Sequence, residues 1–168
     1  MDLWLDDESE TPSDPMDTVE TVIGSDDRFQ SERAEDADVH FSFKTSWGES
    51  VGYFSYRHEL PALLFTLGFE IQAPVSRRTE TLKLASLINE NLWLGHFDVW
   101  SNGSVLLYRH GLMLGDEGLL SPSQAQMAVE AAIIECDRFY PVFQFILWGD
   151  KTPAEALAAA MVDAAGEA

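Results

Sequence analysis

The chain has 168 residues, with 29 acidic against 10 basic side chains and a formal charge of −19. That length fits one ordinary domain, and at 46% hydrophobic residues it can bury a real core, which excludes wholesale disorder. The acid excess argues against a nucleic-acid backbone or an anionic lipid surface as partner, since both need a basic face.

The excess is concentrated at one end. Residues 1–38 carry −12 and the remaining 130 only −7. Residues 1–14, with Asp6, Asp7, Glu8, Glu10, Pro12 and Asp14, lack an apolar period and read as a disordered acidic tail around a small knot of Leu3, Trp4 and Leu5. From Pro15 to about Asp26 a short helix is expected. Asp14 caps it, Pro15 takes its first position, Met16, Val19, Val22 and Ile23 form the stripe, and Gly24 ends it.

Between Arg28 and Ile71 the period becomes two. Val39, Phe41 and Phe43 alternate with His40, Ser42 and Lys44, and Gly48 to Gly52 reads as a turn region. Val51 to His58 alternates again, His58-Glu59-Leu60-Pro61 breaks the ladder, and Ala62 to Ile71 supplies a further strand. Short connections make this an antiparallel meander.

After Pro74 a helix is expected from Ser76 to about Trp93, with Leu84, Leu87, Ile88, Asn91 and Leu92 on one face, stopped by Gly95. Phe97 to Trp100 and Val105 to Tyr108 then form a hairpin about Asn102-Gly103, the favoured type I′ pair. Ser121-Pro122-Ser123-Gln124 is a capping box opening another helix. Pro141 ends that helix near Tyr140 or kinks it; a kinked continuation through Trp148 is favoured, with a strand at 142–148 as the alternative. Thr152-Pro153-Ala154-Glu155 opens an alanine-rich helix to about Ala164.

The N-terminus has neither a basic nor an apolar leader segment, and the longest strongly apolar run, Val142 to Trp148, falls far short of a bilayer span. A cytoplasmic setting is expected. The single cysteine, Cys136, lies in an apolar helical context and reads as an inert buried thiol.

The four histidines invite a metal or acid–base reading. With the turn centred on Asn102-Gly103, opposed residues sum to 205, so His96 faces Arg109 while His110 projects from the other face. His96, Asp98 and Arg109 share a face and read as an edge ion pair rather than a triad. The motifs of nucleophile elbows, phosphate loops, zinc peptidases and calcium loops are absent. No catalytic, cofactor-binding or metal residue is assigned. What stands out is aromatic density on both faces of several strands, so that either helices cover both faces or one face is an interaction surface. Trp93, His96, Asp98, Trp100 and Arg109 are the candidate surface.

The stretches Ile88-Asn89-Glu90-Asn91-Leu92-Trp93-Leu94-Gly95-His96-Phe97-Asp98-Val99-Trp100 and Glu135-Cys136-Asp137-Arg138-Phe139-Tyr140-Pro141-Val142-Phe143-Gln144-Phe145-Ile146-Leu147-Trp148-Gly149 resemble the YbjN domain family over about residues 15–168, its alphaproteobacterial branch more than its enterobacterial one. The resemblance implies an α+β fold like that of type III secretion chaperones, ordered helix, strands, helix, two strands, helix. Those chaperones are small, acidic, cytoplasmic homodimers that bind secretion substrates, which makes a homodimer one expectation here, while the family itself is described as a sensory regulator tied to stress, without established biochemical activity. The resemblance supplies no catalytic residue. The expectation is a non-enzymatic, protein-binding regulatory domain of unknown partner, with a small-molecule or metal sensor as the alternative and an enzyme third.

Overall fold

The computed structural model describes residues 14–35, 38–102 and 104–166. The acidic segment 1–13, with its Leu3-Trp4-Leu5 knot, and Gly103 of the hairpin lie outside the described residues.

Helix α1 spans Pro15–Gly24, and the Asp14 side chain accepts from the Met16 N–H at 2.9 Å. Strands β1 (Phe29–Glu35), β2 (Asp38–Thr45), β3 (Gly48–Arg57) and β4 (Ala62–Gln72) follow as a meander. A 3-10 turn (Val75–Arg77) leads into α2 (Arg78–Asn89), then β5 (His96–Val99) and β6 (Val105–Met113), α3 (Pro122–Trp148) and α4 (Pro153–Gly166). The sheet is antiparallel throughout, in the order β1-β2-β3-β4-β6-β5. The α+β class and element order agree with the sequence reading.

Several local expectations need correction. Strand β1 was not separated from the meander by its sequence, because Gln30, Ser31, Glu32 and Arg33 hide its alternation. The turn between β2 and β3 is Ser46-Trp47 rather than Gly48 to Gly52. Gly52 is a strand residue paired with Phe41, and a Cβ there would stand 2.3 Å from the Phe41 ring. Its missing side chain is the seat of that ring. Ser76 lies in the 3-10 turn and caps nothing; α2 has no side-chain N-cap and ends at Asn89, four residues short of Trp93. In the hairpin the Trp100 N–H donates to the Val105 carbonyl across a four-residue loop, Ser101 to Ser104. Among the described residues of this loop Ser104 is left-handed (φ 50°) and Asn102 is not, so Asn102 does not begin a type I′ turn. The register nevertheless sums to 205, because both loops leave the flanking pairs unchanged.

The stretch 142–148 is helical. Val142, Phe143, Ile146 and Leu147 are buried while Phe145 and Trp148 are exposed, a spacing of one helix face. Pro141 sits inside α3, where it removes one backbone donor without ending the helix. Ser121 and Gln124 exchange the two bonds of the capping box at 3.1 and 2.9 Å, and Thr152 and Glu155 repeat the device at α4.

All four helices contribute to one buried cluster on one side of the sheet. Met16, Val19 and Ile23 of α1, Leu84 and Ile88 of α2, Phe139, Phe143 and Ile146 of α3 and Ala156 of α4 meet Phe41, Phe54, Phe65, Leu67, Phe97, Leu106 and Tyr108 from the strands. Arg33 on β1 ties α1 down, reaching Asp14 at 3.0 Å, Asp17 at 2.5 Å and Glu20 at 3.3 Å. Those carboxylates raise the Arg33 guanidinium pKa. Cys136 is buried in this cluster, and burial first, then Asp137 and Glu135, pushes its thiol well above the ordinary range. Among the described residues, no helix is long and apolar enough to cross a membrane.

Candidate functional site

Strand alternation assigns the opposite face without ambiguity. Phe54, Phe65, Tyr108 and Phe97 point to the helices, so their neighbours Tyr53, Ser55, Leu64, Thr66, Leu107, Arg109, His96 and Asp98 point away. None of these outward residues belongs to the helix-side core. Among the described residues, one sheet face is therefore backed by helices and the other by none.

The open face is neither uniformly polar nor empty of packing. Gly68 stands between Val51 and Leu107, and a Cβ on it would lie 3.6 Å from Val51 Cγ2 and 3.4 Å from Leu107 Cδ2. The bare glycine lets Val51 and Leu107 close over it, and Leu107 is only 6% exposed on a face with no helix. Thr66 is flanked across the strands by Tyr53 and Arg109, and its hydroxyl is buried with no hydrogen-bond partner among the described residues.

The five candidate residues divide. His96, Asp98, Trp100 and Arg109 share the open face, and His96 is directly across from Arg109 as the register requires. Arg109 reaches Asp98 diagonally at 3.8 Å with both side chains about a third exposed. Such a pair contributes about 0–1 kcal/mol. Trp100 is 50% exposed. Trp93 is elsewhere: it lies between α2 and β5, 98% exposed, on neither face of the sheet. His110 projects to the helix side, where burial first and the His96 charge second hold its pKa below the usual histidine value.

Sequence reasoning missed how the edge of β5 is protected. The Asn89 side chain donates to the Phe97 carbonyl at 3.0 Å and accepts from the Phe97 N–H at 2.8 Å. The Asp98 carboxylate accepts from the Val99 N–H at 2.8 Å. Two side chains thus satisfy the backbone groups that an edge strand would otherwise present to a neighbour. The preceding turn is fixed by Tyr108, whose hydroxyl donates to the Leu94 carbonyl at 2.8 Å. Gly95 (φ 65°) lies so close that a Cβ would stand 2.4 Å from that ring. Burial pushes the Tyr108 phenol up to about 12, with lesser contributions from Cys136 and Glu135.

Two concavities matter. One, of about 580 Å³, lies between the end of α1 and the start of α3, where Arg28 bridges Asp26 and Glu130. The other, of about 700 Å³, opens where β3, β4 and β6 run past the end of β5, with Leu64, Gly111 and Met113 among its walls and Arg57 and Arg109 at its margin. Among the described residues no three His, Cys, Asp or Glu side chains gather as a metal site would require.

These features define a helix-backed antiparallel sheet with one partly apolar face that no described helix covers and a β5 edge capped by side chains. The chain belongs to the YbjN family: the family model described as "putative bacterial sensory transduction regulator" matches residues 15–145. No curated protein and no solved structure gives a significant match.

Proposed function

We propose that this protein is a regulatory domain that acts by binding protein through its open sheet face, without catalysis. The observation that carries this reading is the apolar packing of Val51 and Leu107 over Gly68 on a face that no helix covers. Val51 and Trp100 are exposed beside it, and exposed Met113 lies on the same face past Arg109 and Gly111. Contiguous apolar surface of this kind on a monomer marks interaction sites. The family description, a sensory transduction regulator, favours the same role. Self-association as a homodimer and a chaperone-like mode of holding partners are the finer parts of the reading, and rest on the fold order implied by the family resemblance.

The test is affinity capture and light scattering on the full chain, with Val51→Asp/Trp100→Asp as the face variant and Trp148→Asp, an exposed position on α3, as control. The reading expects partner capture or self-association that the face variant loses and the control retains. A chain that stays monomeric and captures the same material with or without the face substitutions would overturn it.

A further inference from the structure

The face that no described helix covers is hollowed at its Met113 end. Two rows cross β3, β4 and β6 there, Arg57–Ala62–Met113 and Ser55–Leu64–Gly111. Ser55, Ala62 and Gly111 are small, so the floor between them is low, and a Cβ on Gly111 would meet nothing within 4 Å. Leu60 in the turn between β3 and β4 and Met113 on β6, 51% and 68% exposed, stand at the rim. The result is the cleft of about 700 Å³, a size that suits a small organic molecule.

The charge of this cleft opposes that of the chain. The protein has 29 acids and 10 bases, yet among the described residues the charged ones lining the cleft are Arg57 and Arg109. The 580 Å³ concavity, by contrast, sets Asp26, Asp27 and Glu130 around Arg28. Arg57 is exposed and makes no ion pair among the described residues, and Arg109 has the 3.8 Å contact with Asp98. The carboxylates at the margin are engaged elsewhere: Asp98 accepts from the Val99 N–H, and Asp38 accepts from the Ser55 hydroxyl.

A guanidinium keeps its charge at any physiological pH and grips a carboxylate through parallel N–H donors, so the cleft selects an anion. Arg109 is in the row of Thr66, and Arg57 in that of Ala62. Their Cα atoms are thus two strand spacings apart across the sheet and four residues apart along it, roughly 16 Å. Two extended arginine side chains close that gap to the width of one carboxylate above Leu64. A compact inorganic anion there would leave Ala62, Leu60 and Met113 in water. A carboxylate carried on an apolar body covers them as well.

We propose that this cleft is a binding site for a small organic carboxylate with an apolar body. Arg57 and Arg109 hold the carboxylate between them, and the body lies along Ala62 and Met113 toward Leu60. The site is on the face read above as protein-binding, but it needs no protein partner and stands apart from that reading.

The test is NMR of the full chain labelled at its methionine methyls, titrated with decanoate and with naphthoate below the concentrations at which they self-assemble. With at least one of the two, the Met113 methyl in the cleft wall should shift to saturation, while that of Met127, 67% exposed on α3, stays in place. Decanol, the same body without the charge, should bind about tenfold more weakly than decanoate, since the charge-assisted hydrogen bonds are lost. Arg57→Gln/Arg109→Gln should weaken binding of the acids by a similar factor, and Gly111→Leu, which fills the floor, should remove it, with circular dichroism unchanged in both. Absence of a saturable shift at Met113 with either acid would overturn the proposal. So would Met113 and Met127 shifting together, which marks adsorption on any exposed apolar group, equal affinity for decanoate and decanol, or unchanged affinity in the double arginine variant. A chain that binds the acids but captures no protein keeps this site and loses the protein-binding reading; capture without acid binding does the reverse.

Discussion

The Asn89 carboxamide makes two hydrogen bonds to the backbone of Phe97, one to its N–H and one to its C=O, as a neighbouring strand would. One side chain at the end of α2 therefore both ends the sheet and fixes the helix to it. Asn89→Ala should destabilise the protein by about 1–3 kcal/mol, two net hydrogen bonds with the groups left partly desolvated. Asn89→Asp should cost a comparable amount, because a carboxylate keeps the N–H but opposes the carbonyl. Urea unfolding checks both, with an unchanged midpoint for Asn89→Ala as the contrary result.

Asp98 and Arg109 are ion-pair partners, but their substitutions should not be equivalent. Arg109→Gln removes a long, partly exposed contact and should shift stability by under about 1 kcal/mol. Asp98→Ala also uncovers the Val99 N–H and should cost about 1 kcal/mol more. Equal costs in paired denaturation curves would show that the carboxylate matters only as a charge.

Gly52 carries the Phe41 ring, and Gly52→Ala places a methyl inside it. Overpacking of this kind costs about 1–3 kcal/mol. Phe41→Leu should make the second substitution cheaper, so the double variant should be more stable than the sum of the singles predicts. Gly111→Ala, with open space at its Cβ, is the internal control and should be close to neutral. Thermal melts of the four variants give the comparison.

His110 sets a pH dependence of known sign. Its pKa in the folded protein is depressed, by burial first and by His96 second. Between the unfolded histidine value of about 6.5 and that lower value, the unfolded chain binds the extra proton. The contribution of His110 is thus complete above about pH 6.5 and is lost as pH falls through the folded value. His110→Phe should flatten the difference in stability between pH 7.5 and 5.5, measured by urea midpoints; a parallel curve would assign the effect to other groups.

Much of the fold was legible because its signals are local. Asp14-Pro15, Ser121-Pro122 and Thr152-Pro153 start helices through side chains within three residues, and Phe97 to Trp100 alternates strictly. The register about residues 102 and 103 placed His96 opposite Arg109 although the turn type was wrong, since pairing depends on where the loop is centred. Gly52 looked like a turn because its partner, Phe41, is distant in sequence and the need for a missing side chain arises only on pairing. β1 was hidden because its inward side continues after Phe29 with Ser31 and Arg33, the latter serving α1, instead of with apolar residues. Of the candidate surface, the shared face of His96, Asp98, Trp100 and Arg109 followed from alternation. The role of Asn89 did not, because it depends on where β5 comes to lie beside the end of α2.

The same connectivity has a kinetic consequence. The meander β1 to β4 closes by neighbours in sequence, so its pairings are cheap in loop entropy. The contacts that seal the molecule are remote: Arg28 with Glu130, 102 residues apart, and the Tyr140 hydroxyl on the Trp47 carbonyl, 93 apart. Both depend on α3, so docking of that helix should be the late event in folding. Substitutions at Tyr140 should then speed unfolding far more than they slow refolding, whereas those at Phe54 or Phe65 should slow refolding itself.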